Sequence, residues 1–228
     1  MTRESRPRGL VIAIDGPSGA GKSTAGRIVA ERLGYTFLDT GAMYRALALK
    51  ALNARVPLED EPALADLARR TAIELAEGGH GVRLDGQDVT AAIRTRDVSA
   101  AASRVSAHPQ VRRHMVARQQ ELGRLGGVVL DGRDIGTAVF PDADVKFYVD
   151  ADPRRRALRR HEELAAAGTD SDVDAIEREI RARDHADSTR RDSPLTRAPD
   201  AVAIDSSDVG VEGVVERMLG VIRQRSRA

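Results

Sequence analysis

Residues 13–33 read AIDGPSGAGKSTAGRIVAERL, and this stretch decides the architecture. Gly16, Gly21, Lys22 and Ser23 fill the pattern G-x-x-x-x-G-K-[ST]. The apolar run LVIAI (10–14) precedes it. Behind it Ala25, Ile28, Val29 and Leu33 recur at three- and four-residue steps, which is one face of a helix. Strand, glycine-rich turn and helix thus follow in the order that gives the pattern chemical meaning. Glycines let successive amides curl around phosphate oxygens where a β-carbon would obstruct them. The helix start adds unpaired N–H groups and a dipole that favours anions. The loop Gly16, Pro17, Ser18, Gly19, Ala20, Gly21, Lys22, Ser23 and Thr24 is therefore expected to bind phosphate groups. In it Lys22 would reach the β- and γ-phosphates and Ser23 would ligate Mg²⁺.

A chain of 228 residues accommodates one α/β domain with a substantial core plus smaller inserted pieces. Lys and Arg total 36 against 35 for Asp and Glu, a net charge of +1, which gives no case for a nucleic-acid coat or an anionic membrane surface. There are no cysteines, so disulfides, thiol catalysis and cysteine-rich metal sites are excluded. Aromatics are 3% of the residues and Trp is absent, which argues against a base-stacking platform for single strands. The start MTRESRPRG is basic and polar, and the apolar run after it is too short for a signal peptide or membrane span. Residues 1–8 are expected to form a loose tail, and an intracellular location fits.

Further short strands are expected at 35–39, 127–130, 145–149 and 201–204. Helices are expected over 41–54, 60–76 (closing at Gly78-Gly79), 94–107, 110–123, 153–166 and 172–188. The stripe Val211, Val214, Val215, Met218 and Ile222 marks a last one. Residues 81–90 read as a hairpin turning at Asp85-Gly86, with Arg83 opposite Asp88 and Val82 opposite Val89. Five apolar strands interleaved with helices predict a parallel sheet covered on both faces, whose ligands lie beyond the carboxyl ends of the strands. The loop at 15–23, Asp39-Thr40, Asp131–Asp134 and Asp150-Ala151 all fall at such ends.

Three groups of residues could build a second site there. In DTGAMYR (39–45), Asp39 and Thr40 serve either as a helix cap beside a solvated Arg45 or as part of a site. VLDGRDIGT (129–137) delivers Asp131, Arg133 and Asp134 from a strand end, where loops carry function disproportionately. The third group is an arginine supply: Arg154, Arg155, Arg156, Arg159 and Arg160, then Arg178, Arg181, Arg183, Arg190 and Arg191. These arginines either pair with nearby acids such as Glu163 and Glu177 on a solvated surface, or form a nucleic-acid patch, against which the flanking acids argue, or form two helices that close over phosphates about an exposed hinge at 165–172.

The stretches IAIDGPSGAGKST, LDTGAMYR, LDGQDVTAAIRT, VLDGRDIGTAVFPDADVKFYVDA and RDHADSTR together resemble the bacterial cytidylate kinases, within the nucleoside monophosphate kinases. The resemblance covers essentially the whole chain after residue 8. It implies a three-layer α/β fold around a central five-stranded parallel sheet. A core domain would span 9–61, 103–151 and 190–228, with an inserted monophosphate-binding domain at 62–102 and an arginine-rich helical lid at 152–189. It implies phosphoryl transfer from ATP with Mg²⁺ to CMP and dCMP, weaker use of UMP, and a cytoplasmic monomer with no nucleic-acid or membrane partner. By the same resemblance Thr40 meets cytosine, Arg45 the acceptor phosphate, and Arg112 the base. Arg133 and Asp134 line the monophosphate site, Arg183 lies over the transferring phosphate, Asp187 takes the sugar hydroxyls, and Arg190 binds phosphate. Lys22, Arg133, Arg183 and Arg190 are the implied catalytic set, and Arg159 is the member of the 154–160 cluster expected at ATP. The rival expectations are a small-molecule kinase with a hydroxyl acceptor, using Asp39 or Asp131 as base, and a nucleotide-gated binding protein without turnover.

Overall fold

Strand β1 (Val11–Asp15) is buried along its whole length, and its alternating side chains enter two different cores. Ile12 and Ile14 join Phe37, Phe147 and Met218 on one face, whereas Val11 and Ala13 join Leu38, Leu130 and Phe140 on the other. This is why the run is apolar throughout and not alternating. The computed structural model describes residues 8–76, 81–166 and 168–225. Around β1 it places β2 (Thr36–Asp39), β6 (Val128–Gly132), β7 (Val145–Asp150) and β8 (Val202–Asp205) in the order β2-β6-β1-β7-β8, all parallel. The expected α/β architecture with a five-stranded parallel sheet is therefore the observed one. Helices α1 (Lys22–Leu33) and α8 (Val211–Arg225) pack together over the first face, and Val116 of α5 (Pro109–Gly123) packs on the second.

Four of these strands end on an aspartate, namely Asp15, Asp39, Asp150 and Asp205, and β6 carries Asp131 at its penultimate position. The parallel register sets Asp39 beside Asp131 and Asp15 beside Gly132. One end of a mostly apolar sheet is thus lined with carboxylates.

Between α2 (Thr40–Asn53) and α5 lie α3 (Glu61–Arg69), a small antiparallel sheet and α4 (Arg96–Val105). The hairpin forms as expected: Asp85 and Gly86 have φ of 50° and 83°, the left-handed pair its tight turn requires, and Arg83 faces Asp88. The helix expected over 60–76 is shorter. It stops at Arg69, and Ile73–Leu75 forms a third strand, β3, beside β4 (Val82–Leu84), while β5 (Gln87–Asp88) closes the sheet. The apolar spacing at 73–75 suits either structure; the free edge of β4, where Ile73 pairs with Leu84 and Leu75 with Val82, decides for the strand. Leu64, Leu84, Ile93 and Val105 of this stretch share one buried cluster with Met43 and Leu47 of α2 and Met115 of α5, so it packs as an extension of those helices.

The helices α6 (Pro153–Ala166) and α7 (Val173–Thr189) pack against each other. Apart from Arg8, the expected tail lies outside the described residues, as do Gly78-Gly79 and residue 167 of the expected hinge. No described helix is long and apolar enough to cross a membrane.

Candidate active site

The loop after β1 is bent by Gly16, Gly19 and Gly21, with φ of 144°, 77° and 84°. At Gly16 the close approach is as demanding as the angle, since a Cβ there would stand 1.9 Å from the Val149 carbonyl oxygen. The Lys22 ammonium folds back over the loop and donates to Pro17 O at 2.6 Å. Burial pushes its pKa down to about 7, and the neighbouring Arg133 adds to the effect. Asp15, at the root of the loop, accepts from the consecutive amides of Ile135 and Gly136, each at 2.7 Å. Burial pushes its carboxyl up to about 6, against the pull of those two amides.

Beside the loop, Ser23 Oγ donates to Asp131 Oδ2, and Thr40 Oγ1 donates to Asp131 O at 2.7 Å. Burial first, and Asp39 second, push the Asp131 carboxyl up to about 6. Asp39 caps α2 by accepting from Ala42 N at 2.8 Å and also receives Arg45 at 2.9 Å. Cap and ion pair are therefore both present, and Arg45 is held over the cleft.

A ring of arginines faces this carboxylate edge. Arg112 pairs with Asp134 and lies over the Tyr44 ring at 5.7 Å, while Arg190 stands 3.6 Å from the other oxygen of Asp134. Arg133 donates to Asp187 at 2.8 Å. Burial would raise the Asp187 carboxyl, but Arg133, Arg183 and Arg190 outweigh it and hold it below the ordinary range. Burial and the nearby Arg133 lower Arg183 to about 10, and burial and Arg112 lower Arg190. Arg45 Nε, Arg112 Nε, Arg183 Nε and Arg190 Nη2 are all buried without a hydrogen bond among the described residues, Arg190 Nη2 having only its 3.6 Å ion-pair contact with Asp134, and all four side chains line the same cleft. Buried polar donors are ordinarily satisfied, so four convergent exceptions mark a place built for an anion.

Residues 12–224 match the sequence model of the family described as cytidylate kinase. A cytidylate kinase of Geobacillus kaustophilus is 51% identical over 220 residues, spanning 96% of this chain and 98% of the relative. Cytidylate kinases of Symbiobacterium thermophilum and Bacillus subtilis are 52% and 48% identical, over 93% and 96% of this chain and 95% and 98% of theirs. The chain belongs to the cytidylate kinase family. It is accordingly an enzyme, a nucleotide-binding phosphotransferase.

Of the residues that resemblance to this family singles out, Ser18, Gly19, Lys22, Ser23, Thr40, Arg45, Arg112, Arg133, Asp134, Arg183, Asp187 and Arg190 line one cleft. Gly16, Pro17, Ala20, Gly21 and Thr24 shape the loop without lining that cleft. Arg159 is elsewhere: its guanidinium donates to the backbone oxygens of Ser206 and Ser207, ahead of α8. Its neighbours Arg154, Arg155 and Arg160 pair with Asp174, Asp208 and Glu163 on the surface. The sequence does not single out Asp15, Tyr44 or Arg94, and it offers Arg156 only as one of five clustered arginines. Arg94, from the turn after the small sheet, stands 3.5 Å from Asp39. A carboxylate ending a wholly apolar strand was the available signal for Asp15; nothing in the run of arginines distinguishes Arg156.

Proposed function

We propose that this enzyme transfers the γ-phosphoryl group of ATP to the phosphate of CMP and dCMP, with UMP a weaker acceptor. The four unsatisfied arginine donors of the cleft carry the reading, because they suit a phosphate acceptor and not a neutral hydroxyl one. An acceptor phosphate oxygen is already anionic, so no general base is needed. Asp39 and Asp131 are accordingly free for other work, and both are engaged in it: Asp39 with Arg45, Asp131 with Ser23.

In this reading the phosphate loop and Lys22 bind the donor phosphates, and Arg45, Arg133 and Arg190 orient the acceptor. Arg183 neutralises charge that develops on the transferring group. Asp187, kept ionised by its arginines, accepts from the sugar hydroxyls, and its use of the 3′-hydroxyl would admit deoxyribose. Base choice follows from hydrogen-bond polarity. Asp134 is an acceptor, and Thr40 already commits its hydroxyl proton to Asp131 O, so both present lone pairs that suit the amino group of cytosine. Uracil offers a carbonyl there; the lost bond costs about 1–3 kcal/mol, enough to demote UMP without excluding it. Residues 62–102 would carry the acceptor side and 152–189 the lid. One chain supplies every group named, so a monomer would suffice for the reaction.

The residues beside the loop also fit Mg²⁺. Asp131 Oδ1 is buried without a partner and lies on the carboxylate that Ser23 bonds, an oxygen-only pair suited to a hard cation. Among the described residues no three His, Cys, Asp or Glu side chains converge as a metal cage, in keeping with an ion shared with phosphates and water. Ser23 and Asp131 would hold it, and bound there it would neutralise phosphate charge.

The test is an acceptor panel: ATP and Mg²⁺ with CMP, dCMP, UMP, AMP, GMP, shikimate or no acceptor, with ADP quantified and products identified by chromatography. Turnover with CMP and dCMP, less with UMP and none elsewhere is expected. A CMP rate no higher than the no-acceptor rate overturns the proposal.

A further inference from the structure

Arg156 is the one buried arginine of α6, with only 2% of its side chain exposed, yet all three hydrogen bonds of its guanidinium leave that helix. Nε donates to Ala151 O just beyond β7 at 2.8 Å, and Nη1 donates to Ser18 O in the phosphate loop at 3.1 Å. Nη2 donates to Asp184 Oδ2 on α7 at 2.7 Å. The stem is packed as closely as the head, since a Cβ on Gly19 of the loop would lie 3.4 Å from Arg156 Cβ. A guanidinium is planar and always charged, so it works here as a rigid three-way bracket.

What the bracket joins gives it meaning. Ser18 belongs to the loop that lines the donor end of the cleft. Asp184 lies between Arg183 and Asp187 on the helix that brings both to the acceptor end. The bond to Arg156 is the one hydrogen bond of the Asp184 carboxylate among the described residues, its other oxygen being buried without a partner. If phosphate binding moves the Ser18 carbonyl, either α7 follows or one bond of the bracket opens, and a guanidinium only 2% exposed is costly to leave short of an acceptor.

We infer that Arg156 and Asp184 are positioning residues that couple the two nucleotide sites, so that a donor seated in the phosphate loop sets Arg183 and Asp187 for the acceptor. The inference rests on the reading of ATP at the loop and CMP beneath α7. Coupling of this kind is reciprocal: each nucleotide must tighten the other by the same factor.

The experiment is calorimetric titration of CMP with and without saturating non-hydrolysable ATP analogue and Mg²⁺, and of the analogue with and without CMP. In the unmodified enzyme each ligand is expected to tighten the other by at least ~5-fold, and in Asp184→Ala the factor falls below ~2. A general loss of packing would weaken both affinities and leave their ratio, so the ratio separates positioning from structure. Asp184→Asn keeps an oxygen for Arg156 but not the charge, and is expected to give an intermediate factor. It decides the matter if the alanine variant does not fold. Full coupling in both variants, or in the asparagine variant alone where only that one folds, overturns the inference, and so does an unmodified enzyme that binds both nucleotides without coupling. An unmodified enzyme that binds no CMP overturns the functional reading itself.

Discussion

Arg112 and Asp134 meet as an ion pair in which the two side chains are only 4% and 7% exposed. The pair is closed in by Tyr44, whose hydroxyl pKa burial pushes up to about 12, and by Arg190. Removing one partner from so dry a pair strands the other. Arg112→Met is therefore expected to lower the unfolding free energy by about 3 kcal/mol, the lower end of the range for breaking a buried pair, because Arg190 still faces Asp134. Urea denaturation reads this directly. A loss below ~1 kcal/mol, the value of an exposed pair, would show that solvent reaches the site.

Asp15 makes a second prediction. Its two oxygens accept from Ile135 and Gly136, and so fix the segment from which Arg133 and Asp134 project. In Asp15→Asn one oxygen becomes an NH₂ group that confronts an amide N–H, at a cost of about 1–3 kcal/mol. The segment would shift to relieve the clash. Displacement of catalytic groups by about 1 Å lowers turnover by about 100-fold. Steady-state kinetics with CMP should show this fall in kcat, and an unchanged kcat would sink the positioning role.

The sheet, the glycine-rich loop and the carboxylate edge of the cleft are all legible because each depends on local order: an apolar strand, then glycines or aspartates, then a helix. Gly16 to Ser23 could be read without knowing anything distant. Arg156 and Arg159 could not. Within one run of arginines the first is buried between the phosphate loop and α7 and the second is taken up by the Ser206 and Ser207 carbonyls, and only tertiary neighbours decide which. Ile73–Leu75 failed to declare itself for the same reason, since its partner strand lies beyond the stretch over which a helical pattern is judged.

Two glycines with positive φ separate backbone conformation from close approach. Gly86, with φ 83°, lies in the hairpin turn, and a Cβ added there would meet nothing within 4 Å. Gly16, with φ 144°, would set its Cβ 1.9 Å from the Val149 carbonyl oxygen. Gly86→Ala is expected to cost about 1 kcal/mol or slightly more, with kinetics unchanged. Gly16→Ala must also displace β7 from the phosphate loop, so it should abolish ATP binding and lower Tm much further. Thermal melts with and without ATP compare them, and equal losses would show that the angle alone matters.

The depressed pKa of Lys22 predicts a proton taken up on binding. With its pKa near 7, Lys22 is largely neutral at pH 8 in the free enzyme, because burial and Arg133 oppose its charge. A triphosphate seated in the loop places negative charge beside the amine, favours the ammonium and raises the pKa, so protonation accompanies binding. ATP saturated with Mg²⁺ has lost its last phosphate proton by pH 8 and contributes none. Titration of Mg·ATP without an acceptor at pH 8 in two buffers of different ionisation enthalpy should give heats that differ in the direction of proton uptake. Lys22→Arg supplies the control, since a guanidinium stays charged at every accessible pH and its heats should not depend on the buffer. Buffer-independent heats for the unmodified enzyme at pH 8 would place the Lys22 pKa well above 8 before ATP arrives.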